Sequence, residues 1–201
     1  MKKIEFPPPI LWPALCLLFM SPACNLFDPR EAEAPSQSGF QYLPRTFPAN
    51  VVFNLQNAVG QKDVAGYIAC FTDSTRSRTT FSFVPSADAA DIYATVLRNW
   101  SYQQEQSYFQ NLVAKRKQPQ SYSNLTLIAR DSIASGNEAM TYNFDYTLTF
   151  EHTEPNFTQT SRGRLQFTVV NDNSQWSIAR WIDLKTTNDL TWSSFKGKFS
   201  N

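Results

Sequence analysis

The chain has 201 residues, with 18 Lys and Arg against 17 Asp and Glu, and charged residues make up 17% of it, below the usual ~25%. A near-neutral surface rich in Ser, Thr, Asn and Gln has no electrostatic pull on DNA or RNA, so nucleic-acid binding is excluded as a function class.

The N-terminus reads as an export signal. Met1-Lys2-Lys3 is basic, Ile10 to Met20 is apolar apart from Pro13, and Ser21-Pro22-Ala23 places small residues before Cys24. The apolar run is eleven residues long, short of the roughly 20 needed to span a bilayer but suited to a signal core. The small residue before a cysteine looks like a bacterial lipoprotein signal, although Ser21 stands where such a box usually has Leu. The expected products are a signal peptide at 1–23 and a mature chain anchored to a membrane by palmitate-type lipid on Cys24. The expected address is the bacterial cell envelope, at the outer membrane, facing periplasm or surface. Removing Lys2, Lys3 and Glu5 leaves 16 basic and 16 acidic residues. With Cys24 lipidated, Cys70 has no disulfide partner. In Tyr67-Ile68-Ala69-Cys70-Phe71 it reads as a buried structural thiol. One histidine leaves no zinc site of the Cys/His type, and neither a metal nor a cofactor is expected.

Residues 24–47 carry Pro29, Pro35 and Pro44 among polar residues without apolar period, which predicts an extended tether. The folded domain is expected at 48–201. Val51, Val52, Leu55, Ala58 and Val59 mark one face of a helix. After the break at Gly60–Lys62, Asp63 is placed to cap a second helix carrying Val64, Tyr67, Ile68 and Phe71. Phe81–Val84 reads as a short strand ended by Pro85. Asp88 is placed to cap a short helix with Ile92, Val96 and Leu97, and a longer helix runs from about Tyr102 to Lys117 with Glu105, Tyr108, Phe109 and Leu112 on one face.

The period then falls from 3.6 to 2. Leu125 and Leu127, then Tyr142 to Phe150, then Leu165, Phe167 and Val169, then Trp176, Ile178 and Ile182 give four strands. They are separated by Ser135-Gly136-Asn137, Glu154-Pro155-Asn156 and Asn171-Asp172-Asn173. The fold class is α+β: a curved antiparallel sheet, formed by a four-stranded meander plus the short early strand, packed on about three N-terminal helices.

Three segments sharpen this. They are Val52–Ala58 with Lys62–Tyr67, then Trp100 with Glu105 and Tyr108–Leu112, then Trp176–Asp183 with Thr191–Gly197. In this order they resemble the cone-shaped, cystatin-like fold of the nuclear transport factor 2-like superfamily, which includes SnoaL-like and ketosteroid isomerase-like proteins. They are also similar to uncharacterised bacterial lipoproteins of that fold. The resemblance implies a cone-like pocket between sheet and helices, and enzymes of the superfamily place Asp, His or Tyr there to move a proton.

The residues expected to line that pocket are Tyr67, Phe71, Phe83, Glu105, Tyr108, Phe144, Tyr146, Phe167 and Trp181. Asp145 falls on the opposite face of its strand. His152, beside a hairpin turn, is expected in solvent. Asp73 is expected to cap a turn or approach the pocket mouth. Glu105 is expected to be buried and paired with Arg180 or Arg130, since an unpaired buried carboxylate is costly. The reading that follows is a membrane-anchored, non-enzymatic module binding an apolar small molecule or an envelope protein. One alternative is a SnoaL-like isomerase or hydrolase using Glu105, Tyr67 or Tyr108. Another is a structural envelope protein forming homodimers through the outer sheet face.

Overall fold

The computed structural model describes residues 42–200. The expected signal at 1–23, Cys24 and the expected tether up to residue 41 lie outside the described residues. Tyr42 to Phe47, the end of the expected tether, are bound to the domain. Leu43 exchanges two hydrogen bonds with the Asn54 side chain, each 2.8 Å, and Arg45 O accepts from Trp176 N.

Helix α1 (Pro48–Gln61) opens with Pro, whose fixed φ suits a first turn, and buries Val51, Val52, Leu55, Ala58 and Val59 as its spacing predicts. It stops at Lys62, which adopts a left-handed φ of 59°. Asp63 then caps α2 (Val64–Ile68) by accepting from Ala65 N at 3.0 Å. That helix is shorter than its apolar period suggests, because Phe71 leaves it to bridge Ile178.

Strand β1 (Ser82–Val84) is followed by α3 (Ala87–Ile92) and α4 (Ala94–Leu97). The N-cap of α3 is Ser86, not the expected Asp88, which lies in the first turn and pairs with Lys185. Helix α5 (Tyr102–Ala114) starts at Ser101, whose N–H donates to Gln104 Oε1 at 3.0 Å.

The sheet runs in the order β1-β5-β4-β3-β2, from β2 (Ser123–Ser135), β3 (Ala139–Phe150), β4 (Thr160–Asp172) and β5 (Gln175–Leu184). The four long strands form the expected antiparallel meander, and β1 adds in parallel to β5 through Phe83↔Trp181. On β3 the predicted inward set holds from Phe144 on: Phe144, Tyr146, Leu148 and Phe150 are buried, Tyr142 is only half-buried, and Asp145 faces outward between Arg130 and Arg164.

Two features depart from the expectation. Ala179 is an extra residue in β5, since Thr168 pairs with Arg180 while Val169 pairs with Ile178. This bulge flips the alternation, so Trp181 and Asp183 point inward and Ile182 does not share the face of Ile178. A C-terminal helix, α6 (Trp192–Phe199), also enters the cone and is buried along almost its whole length. It packs against α3, α4, α5 and β4. Its stripe Trp192, Phe195, Phe199 has helical spacing, but Lys196 sits inside the stripe and masks it.

Candidate functional site: the filled cone and an outer cleft

The interior of the cone centres on Lys196. Its side chain is 0% exposed, and its ammonium donates to Glu105 Oε2, also on a residue of 0% exposure. The local sequence produces this juxtaposition. α5 carries Glu105 on the same face as Tyr108, Phe109 and Leu112, and α6 inserts Lys196 between Phe195 and Gly197. Gly197 has no side chain because the Tyr93 ring lies against it, only 2.3 Å from where a Cβ would stand.

The Glu105 carboxylate is fully engaged. Tyr67 OH donates to Oε1 at 2.5 Å, Trp100 Nε1 donates to Oε2 at 2.7 Å, and Lys196 supplies the third donor. Four aromatic rings surround the ammonium. Its Nζ lies 3.6 Å from the Trp181 ring centre, 4.0 Å from Phe83, 5.5 Å from Trp100 and 5.6 Å from Tyr108. Burial lowers the Lys196 pKa to about 8, with Glu105 and then Asp183 pulling the other way.

A second buried carboxylate stands beside this pair. Asp183 accepts from Ser193 N at 2.6 Å, Ser193 Oγ at 2.5 Å and Tyr146 OH at 2.8 Å. Burial pushes its pKa up, while the Ser193 and Tyr146 donors hold it down. Tyr146 OH in turn accepts from Trp192 N at 2.6 Å, and Tyr108 OH accepts from Trp192 Nε1 at 2.8 Å. Tyr67, Tyr108 and Tyr146 are all held well above the ordinary phenol pKa, first by burial and next by the carboxylate they face. The network is internal: the carboxylates take their donors from α2, β3, α6 and Trp100 in the segment between α4 and α5.

The residues expected to line a pocket are therefore brought together, around a side chain of the same protein. Phe83, Tyr108 and Trp181 ring Lys196, Glu105 bonds it directly, and Tyr67 joins through Glu105. Phe71 stacks over Trp181 at 6.1 Å, and Phe167 meets Trp181 edge-on at 5.1 Å. Tyr146 belongs to the Asp183 group. Phe144 lies further out, 6.5 Å from Phe167.

Glu105 is paired as expected, but not with the expected arginines: Arg130 binds Asp145 and Arg180 is exposed. His152 is 1% exposed, not solvated. It packs against Phe157, Phe195 and Phe199, with Nε2 bonded to Thr158 O at 2.9 Å and Nδ1 accepting from Glu154 N at 3.2 Å. The bridge between Arg116 and His152 draws the strand end under α6, which covers it. Asp73 accepts from Thr75 N and Oγ1 in a turn and lies on the wall of a polar surface cleft with Arg45 and Tyr102. Cys70 is buried, and burial pushes its thiol up to about 12. Lys196 and Asp183 escaped sequence reasoning. Among the described residues no three His, Cys, Asp or Glu side chains cluster as metal ligands.

The open apolar space lies outside the chamber. A cleft of about 350 Å³ runs between α1 and the β2–β3 hairpin. Ala49, Val52 and Phe53 form one wall and Ala129, Tyr142 and Phe144 the other, with Arg130 and Asp131 at the rim. Phe53 is 43% exposed, and the Tyr142 and Phe144 rings stack at 5.7 Å and 27°. An apolar wall of stacked rings facing an exposed Phe suits a flat or aliphatic molecule.

No protein-family model matches the sequence, and no curated protein matches it. Solved structures do. A nuclear transport factor 2-like superfamily protein from Salmonella enterica serovar Typhimurium is similar at 16% identity, over 69% of this chain and 87% of that one, with a TM-score of 0.50. A conserved protein from Planctomyces limnophilus is similar at 9% identity, over 68% and 91%, with a TM-score of 0.52. A ketosteroid isomerase-like protein from Erwinia carotovora atroseptica is similar at 9% identity, over 71% and 96%, with a TM-score of 0.49. The chain has the nuclear transport factor 2-like fold; at these identities the likeness concerns fold alone.

Proposed function

We propose that this protein is a non-enzymatic binding module, anchored to a bacterial membrane by lipid on Cys24, that takes an apolar small molecule in the cleft between α1 and the β2–β3 hairpin. The observation that carries this reading is the division of space. The cone centre is filled by Lys196 and its internal hydrogen-bond network, whereas an apolar cleft with an exposed Phe53 stands open beside it. Glu105 and Asp183 each have internal donors on both oxygens. Each carboxylate already accepts three hydrogen bonds from buried groups of the protein, which supports binding over acid–base chemistry.

An environment-sensitive apolar dye tests the binding role. The wild type is expected to bind it saturably and Phe53→Glu at least about tenfold more weakly, because one buried ring contributes roughly 1.5–3 kcal/mol. Phe53 is a partly exposed surface residue, so the melting temperature is expected to hold. A dye that binds both proteins equally, or neither, would remove the cleft from consideration. For the anchor, Cys24→Ser is expected to move the protein from the membrane fraction to the soluble one, and unchanged membrane retention would count against lipidation.

A further inference from the structure

Long cationic side chains ordinarily run along apolar surface and keep the charged head in water. Lys196 does the reverse, placing its ammonium in the fully buried interior. A buried ion pair needs only its carboxylate, yet four aromatic rings also stand around this nitrogen, all within 6 Å. Ring faces attract a cation at that range, and a chamber of ring faces with one carboxylate is the chemistry by which proteins recognise ammonium groups. The walls come from β1 through Phe83, β5 through Trp181, α5 through Glu105 and Tyr108, and Trp100 in the segment just before α5. The occupant comes from α6, which follows the exposed segment 184–188.

We propose that the interior of the cone is a recognition site for a primary alkylammonium group, and that Lys196 occupies it in cis as a built-in ligand. Three parts of the geometry set its selectivity. Glu105 Oε2 touches the nitrogen directly, so an N–H is required and a quaternary ammonium is rejected. A neutral alcohol leaves Glu105 buried without a counter-charge, which is unfavourable. The Phe83 and Trp181 ring centres, 4.0 and 3.6 Å from the nitrogen, favour a cation over a neutral head. The inference is independent of the outer cleft, since no wall residue of the chamber lines that cleft.

Lys196→Ala in the full chain removes the atoms that n-propylammonium would restore. Thermal melts at neutral pH and constant ionic strength are expected to show a saturable rise with n-propylammonium chloride. The apparent affinity should be about tenfold or more above that of 1-propanol, from the cation–ring and ion-pair contributions. Tetramethylammonium should give no rise, and Lys196→Ala/Glu105→Gln should lose the response to the amine. Equal response to amine and alcohol, or none to the amine, would overturn the proposal. If Lys196→Ala is unfolded, recovery of folding by the amine is the same readout.

A measurement on the wild type does not depend on that variant. The Lys196 ammonium is expected at pH 6 as a slowly exchanging nitrogen signal, with its Hε protons shifted upfield by the rings. A fast-exchanging lysine with ordinary Hε shifts would contradict an enclosed ammonium.

Discussion

Replacing Glu105 by Gln tests the centre of the molecule with almost no change of shape. The wild-type carboxylate takes three donors, Tyr67 on one oxygen and Trp100 and Lys196 on the other. Glutamine offers one acceptor oxygen, so at least one donor is orphaned, and the Lys196 cation is left uncompensated at 0% exposure. Removing one partner of a buried pair costs about 3–5 kcal/mol, a large share of the ~5–15 kcal/mol that holds a domain folded. At roughly 2–4 °C per kcal/mol for a domain of this size, the melting temperature should fall by about 6–20 °C. Urea unfolding followed by tryptophan fluorescence should show the midpoint falling at unchanged slope. The double variant Glu105→Gln/Lys196→Met removes both charges and is expected to recover at least about 2 kcal/mol relative to the sum of the single losses. A loss below about 1 kcal/mol for Glu105→Gln, or strict additivity in the double variant, would refute the pairing.

Other perturbations have defined outcomes. Tyr67→Phe removes the donor to Glu105 Oε1 and should cost about 1.5–3 kcal/mol in urea unfolding, the range for hydrogen bonds to charged groups. His152 is held neutral, its pKa lowered first by burial. The unfolded chain therefore takes up this proton at a higher pH than the folded one. Its contribution is complete above the unfolded value and is lost as pH falls through the lowered folded value. Stability should decline between pH 7 and 5 in the wild type and decline less in His152→Gln. Gly197→Ala should destabilise by about 1–3 kcal/mol through overpacking against Tyr93, reversing the ~0.5–1 kcal/mol that alanine ordinarily gains over glycine in a helix. A gain in chemical denaturation would show that Tyr93 yields.

Most of the fold was legible because its elements announce themselves by period. The α1 stripe from Val51 to Val59 and the alternation from Phe144 to Phe150 each survive into buried faces without interruption. What stayed hidden depends on contacts distant in sequence. Lys196 reads as a surface residue, because nothing within a few positions shows that Glu105 waits 91 residues away. That one charge also masks the Trp192, Phe195, Phe199 stripe and with it α6. Asp183 was concealed by the bulge at Ala179, since strict alternation from Ile178 assigns the inward face to Ile182. His152 looked like a turn residue because the helix that covers it comes after it in the chain. The candidate pocket residues were largely identifiable as one inward-facing aromatic set, but a filled cone and an open one share that pattern. Only the position of α6 separates them.

The claim that binding lies in the outer cleft while the cone is closed is tested most directly by titrating the nitrogen-15-labelled protein with an apolar ligand and following amide and indole signals together. The amides of Phe53, Tyr142 and Phe144 are expected to shift saturably while the Trp100 and Trp181 indole signals stay in place. Early, saturable shifts of those two indoles with an undisturbed Phe53 would mean that the cone admits ligand, and would contradict the account.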